Sequence, residues 1–225
     1  MWLEPSCAVC VTEDRVAPTC VKGRFALGVS LSESSLRDRL RAATAESHAA
    51  LDSQVAAWKI ETPLGYGAFL SASALAMAPL ELALERAGVA DWLPDWALRV
   101  RRTALARDLA ALGLEAPPFS VAHVPSPDFG AGLLYTLEGS RLGARFLARQ
   151  VRAAGHGLPL NYFTQGEGDD LWRTFLAWLE KPNVGTRTDE VEAGARYGFQ
   201  CFSDAFETIA PPGAPNVRNG AHVRV

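Results

Sequence analysis

Residues that hold metals or carry redox chemistry are scarce in this chain. Its 225 residues include four histidines and four cysteines. His123 sits in a proline-rich stretch, His156 between two glycines and His222 near the C-terminal end. Each of these reads as a solvated surface histidine. Cys7 and Cys10 form a C-x-x-C with Cys20 ten residues on, but no histidine precedes His48 to complete a zinc knuckle. Cys201 stands alone. Reduced thiols and a cytoplasmic location follow as the default. The net charge of −3 gives no basic surface for nucleic acid. The most apolar stretch, 69–84, is interrupted by Ser71, Ser73, Pro79 and Glu81, so no membrane span is expected. No basic region followed by an apolar block marks a secretory signal. Flavin and nicotinamide fingerprints are lacking, as are convincing strands and internal repeats.

What is present favours helices around one core. Hydrophobic residues make up 48% of the chain, and alanine and arginine, both strong helix formers, are abundant. Residues 1–31 show no sustained period and read as a disordered N-terminal tail. A single all-α domain, a helical bundle, is expected over 32–210, with a flexible tail over 211–225. Serines at 32–35 offer an N-cap for a helix over 36–58. Leu36, Leu40, Ala43, Ser47, Leu51 and Val55 form its buried stripe. Thr62-Pro63 starts a long apolar helix, ended by Gly88. A helix over 96–112 follows, with Arg99, Arg101, Arg102 and Arg107 expected mostly on a solvated face. Residues 115–127 carry four prolines and read as a loop. Asp128 is expected to cap the next helix, which runs to about residue 154. A turn at 155–159 and an irregular connection over 161–168 lead to a short helix over 169–181. The last helix spans 188–209, with Val191, Ala195, Phe199, Phe202 and Phe206 as its core stripe.

Two stretches stand out. Tyr135 to Ala144 is helical in character yet contains Gly139 and Gly143, and each mid-helix glycine costs about 1 kcal/mol relative to alanine. At i and i+4 they bare one face, against which either another helix or a flat ligand can press. Spacing alone leaves both open. The second stretch holds His48, mid-helix among small residues, with Arg41, Thr44 and Ala45 on the same face. A lone histidine cannot hold zinc but can hold a heme iron as its sole proximal ligand. The alternative is a half-exposed surface histidine. Arg41 lies about 10.5 Å along the helix from His48, of the order of the distance from a heme iron to its propionates. Arginine pairs bidentately with carboxylates.

Together these stretches resemble the heme (haem) oxygenases. Leu40-Arg41-Ala42-Ala43-Thr44-Ala45-Glu46-Ser47-His48, followed by Leu51-Asp52, is similar to the family's proximal helix. Tyr135-Thr136-Leu137-Glu138-Gly139-Ser140-Arg141-Leu142-Gly143-Ala144 is similar to its distal helix, in the form found in the bacterial, phytochrome-associated branch. The resemblance covers roughly residues 35–210. It implies heme b sandwiched between the two helices as both cofactor and substrate, cleaved with O2 to biliverdin, carbon monoxide and ferrous iron. His48 would bind the iron. Gly139 and Gly143 would let the distal backbone approach the heme and steer oxygen to one meso carbon. Leu142 and Ala144 complete the distal motif. Ser140 stands where the mammalian type has an aspartate that organises water, a serine shared by the bacterial branch. Ala144 stands where many members have glycine, and its methyl would tighten the pocket. Arg41 with Thr44 on the proximal side, Tyr135, and Arg196 with Tyr197 on the last helix would contact the heme or its propionates. Arg141 and Arg145 read as solvated helix charges. The resemblance further implies an external electron donor, a ferredoxin or a reductase, and a bacterial phytochrome as biliverdin acceptor. The alternatives are a non-catalytic heme carrier or sensor of the same fold, and a thiaminase-like relative that handles another small molecule.

Overall fold

The computed structural model describes residues 35–209. Both expected tails, with Cys7, Cys10, Cys20 and His222, lie outside the described residues. The described chain is all-α, with nine helices. Helix α1, Leu36–Ala56, begins at Ser35, whose side chain accepts from the Asp38 backbone N–H. Helix α2, Pro63–Arg86, has Thr62 as N-cap and Pro63 in its first turn. Short helices α3, Val89–Trp92, and α4, Trp96–Arg99, precede α5, Arg102–Ala111. Helix α6, Pro127–Ala153, is followed by α7, Asn161–Thr164, α8, Leu171–Leu179, and α9, Thr188–Ile209.

Several expectations are corrected by tertiary contacts. Ser126, not Asp128, caps α6, accepting from the Phe129 N–H at 3.2 Å. Asp128 instead ties the start of α6 to the loop before α9 by accepting from the Arg187 N–H and the Thr186 hydroxyl. The single helix expected over 96–112 is broken at Val100 and Arg101. Glu81 causes the break: its buried carboxylate accepts the Arg101 and Arg102 backbone N–H groups, at 2.8 and 3.1 Å. Those N–H groups are the orphan donors of a new helix start. The connection over 161–168 contains α7. Helix α2 is long and apolar enough to cross a membrane, contrary to the sequence expectation, but 72% of its most apolar window is buried inside the fold. It is the core helix.

Helices α6 and α9 form the spine. They approach so closely that a Cβ on Gly132 would overlap the Val191 carbonyl, and one on Gly194 the Phe129 carbonyl. Thr136 Oγ1 locks the contact by donating to the Ala195 carbonyl at 3.0 Å. Helix α1 lies along α9, and α2 packs on α9 as well, with α5 behind α2. Helices α7 and α8 pack on α6. Phe69 and Trp58 meet Phe206 of α9 in the shared core. All five residues expected for the α9 stripe are buried. Because α1 rests on α9 rather than on α6, the two helices that carry the sequence motifs flank a common floor.

Candidate functional site

Helix α1 presents its motif on a half-covered face. Thr44 is buried and its hydroxyl donates to the Leu40 carbonyl at 2.8 Å. His48, one turn on, is half-exposed. Its Nδ1 lies 3.1 Å from Asp52 Oδ2, a contact the helix makes at i and i+4. A carboxylate on Nδ1 fixes the ring's orientation and leaves Nε2 free as a basic ligand atom. Phe199 of α9 backs the imidazole, with ring centroids 5.7 Å apart. Arg41 is exposed and has no hydrogen-bond or ion-pair partner among the described residues. Among those residues no group of three His, Cys, Asp or Glu side chains is placed to hold a metal ion.

On α6, the glycines divide by environment. Gly132 is consumed by the crossing with α9. Gly139 and Gly143 are not: a Cβ on Gly139 would meet only the Trp172 ring, at 3.8 Å, and one on Gly143 would meet nothing within 4 Å. No helix presses on them, so packing does not account for them. Tyr135, one turn before Gly139, links this face to α1. Burial raises its phenol pKa, opposed by the charges of Arg37 and Arg41 and by the Thr44 side chain. Its ring also meets Trp172 of α8 at 5.8 Å. Arg41 and Thr44 of α1 therefore lie in the neighbourhood of Tyr135. The successive contacts Ser126–Glu190, Gly132–Ala195 and Thr136–Gly198 show α6 and α9 running in the same direction. Gly139, the next turn, thus falls near the level of Phe199 and hence of His48.

The remaining motif residues distribute differently. Leu142 is half-buried on the flank of the glycine face. Ala144 is buried in the core, about 140° around the helix from Gly139. Its methyl fills the core instead of tightening the glycine face. The Ser140 hydroxyl donates to the Leu137 carbonyl at 2.7 Å and accepts from Arg101 Nη2 at 2.8 Å. Arg196 reaches α1, donating from Nε to the Ala43 carbonyl at 3.3 Å, and pairs with Glu192. Tyr197 is not brought to this group. It packs against Phe129 and lines a separate groove with Cys201 and Phe119, one helical position beyond the side of α9 that meets α1.

Behind α6 lies a charged cluster that the sequence reading missed. Arg99 and Arg101, expected in solvent, are 1% and 2% exposed, and Arg141 is 8% exposed. Glu138 joins Arg99, at 2.5 Å, to Arg141, at 3.0 Å. Burial pulls the Arg99 guanidinium down, but Asp95 and Glu138 outweigh it and hold its pKa above the usual value. Arg141 is pushed down to about 10, first by burial and then by the neighbouring Arg101 charge. The Glu138–Arg141 spacing of i and i+3 was a signal in the sequence. Nothing local marked Arg99 or Arg101. Arg145 is exposed, as expected.

A bare helical face on α6 and a histidine on α1 beside a carboxylate are features suited to a flat, singly ligated group in an all-α chain. No protein-family model matches the chain. A heme oxygenase of Xanthomonas campestris pv. campestris is 36% identical over 137 residues, 55% of this chain and 81% of that protein. The heme oxygenase PigA of Pseudomonas aeruginosa is 29% identical over 182 residues, 75% of this chain and 90% of that one. The NO- and CO-bound heme oxygenase of Neisseria meningitidis shares the fold with a TM-score of 0.67 at 23% identity, covering 84% of this chain and 98% of that one. The heme oxygenase of Leptospira interrogans does so at 0.63 and 20%, covering 77% and 99%. The chain belongs to the heme oxygenase family.

Proposed function

We propose that this chain cleaves heme b, its cofactor and substrate, to biliverdin, carbon monoxide and ferrous iron. The observation that carries this reading is the open face of Gly139 and Gly143, on a helix whose other glycines, Gly130 and Gly132, are closed by Trp92 and by α9. A flat macrocycle is the partner that such a face fits.

His48 Nε2 would hold the heme iron, with Asp52 Oδ2 3.1 Å from Nδ1 to orient the ring. Phe199 fixes the imidazole from behind. Arg41, with no hydrogen-bond or ion-pair partner among the described residues, would pair with a propionate bidentately, and Arg196 guards the same side from α9. Thr44 and Tyr135 would close one end of the space between α1 and α6. Gly139 and Gly143 bring backbone, with no side chain between, against the distal face, and Leu142 flanks them. Bound heme supplies the oxygen chemistry, since its iron activates O2 and its own ring is the site oxidised. The protein orients the ring and limits access to it, and Ser140 contributes an oriented hydroxyl beside the glycines. Electrons come from a separate ferredoxin or reductase. The protein acts in the cytoplasm, and a bacterial phytochrome receives the biliverdin. The Tyr-x-Leu-Glu-Gly-Ser pattern at 135–140 supports that last assignment.

His48→Ala tests the ligand assignment. The variant is expected to lose the histidine-ligated heme spectrum and biliverdin formation, and added imidazole is expected to restore the spectrum. Unchanged biliverdin output from His48→Ala would refute the role of His48.

A further inference from the structure

Arg101 is almost wholly buried and only partly satisfied. Its Nη2 donates to the Leu137 carbonyl at 2.6 Å and to Ser140 Oγ at 2.8 Å. Its Nε and Nη1 have no hydrogen-bond partner among the described residues. The guanidinium lies over the Tyr162 ring, 5.6 Å from the centroid. Glu81 of α2, Glu138 and Arg141 of α6, and Tyr162 of α7 are the titratable groups around it. Buried N–H groups left unpaired are rare, and ordered water is the usual remedy. Arg101 lines a cavity of about 20 Å³ that runs past Tyr162 and Gln165 to Glu167 and Asp169, which are exposed. About 10–15 Å³ of such space holds one water.

We propose that Arg101 is a positioning residue for the distal helix, holding the Ser140 hydroxyl as a hydrogen-bond acceptor and keeping one water in the cavity behind it. This rests on the heme-cleaving reading above. A serine hydroxyl has one proton to give and two lone pairs. The proton is committed to the Leu137 carbonyl and one lone pair to Arg101. Only one lone pair is left, so any water bonded to Ser140 beside the glycines must donate to it. Its orientation is thereby fixed. Without Arg101 a second lone pair is open, and a water can bond on either side of the hydroxyl. Arginine stays protonated at working pH, so Arg101 orients the hydrogen bonds and moves no proton itself. The cavity water satisfies Nε or Nη1 and is supplied from solvent at the Glu167 end.

The test is a double-mutant cycle on the full-length chain loaded with ferric heme. It reads the pH midpoint of the visible absorption change. Arg101→Gln and Ser140→Ala are each expected to move that midpoint by about 0.5 unit, roughly a threefold change in the proton equilibrium. The double variant is expected to match Ser140→Ala alone, and Arg101→Lys to recover part of the shift. Additive effects, or an Arg101 effect that persists with Ser140→Ala, would overturn the proposal. If Arg101→Gln does not fold, Arg101→Lys in the two Ser140 backgrounds decides by the same criterion. A wild-type chain that gives no heme spectrum would instead count against the function, which separates the two failures.

Discussion

Glu138 is the residue on which the buried charges behind α6 depend. It accepts from both Arg99 and Arg141, whose side chains are 0% and 9% exposed. Arg99 has Asp95 in reserve, with hydrogen bonds at 2.6 and 2.7 Å. Arg141 has only neutral acceptors besides Glu138, on Gln165 and the Arg99 carbonyl. Removing one member of a buried pair leaves an uncompensated charge, at a cost of about 3–5 kcal/mol. Glu138→Gln keeps the shape and removes the charge. It is expected to destabilise the heme-free protein by about that amount in urea unfolding. A loss below about 1 kcal/mol, the scale of a surface pair, would show that the cluster does not depend on Glu138. Little of this was legible in the sequence. Arg99 and Arg101 sit in an arginine-rich stretch that reads as solvated, and their partners lie on other helices far along the chain. Arg141 had a partner three residues away, and burial was still the part its spacing did not announce.

At the level of elements, α6 uses one residue type for two purposes. Gly132 lets α9 approach, whereas Gly139 and Gly143 leave a face open. The two uses predict opposite responses to alanine. Gly132→Ala forces a Cβ into the Val191 carbonyl and is expected to be strongly destabilising. Gly143→Ala adds a methyl to open space, and the heme-free protein is expected to gain about 1 kcal/mol from helix propensity. The same methyl is expected to weaken heme binding in a spectrophotometric titration. A Gly143→Ala protein that is destabilised without heme would mean that packing, not a ligand, explains this glycine. The sequence could not separate the two kinds of glycine, because what decides is a neighbour from α9. Helices α1, α6 and α9 were otherwise legible to within a residue or two, since caps and apolar periodicity define them locally. The α4–α5 break was not, because its cause is the Glu81 carboxylate arriving from α2.

Across the whole molecule, the motif helices stand on either side of α9, and that arrangement gives the two resemblances one meaning. Tyr135 of α6 neighbours Arg41 and Thr44 of α1, and Phe199 of α9 backs His48. Ala144 and Tyr197 fall outside that group because helix phase, which spacing within a motif does not fix against a neighbour, turns them elsewhere. Ser140 lies between these cases. Its side chain belongs to the motif, but its hydrogen bonds belong to Arg101.

The central claim is that this arrangement turns heme over. Purified protein mixed with hemin, then given a reductant in air and followed by absorption spectroscopy, tests it most directly. The account predicts a sharp Soret band that decays into the broad red absorption of biliverdin, with carbon monoxide released. A Soret band that persists under the same conditions would mark a heme carrier, and the absence of any Soret shift would contradict the heme site itself.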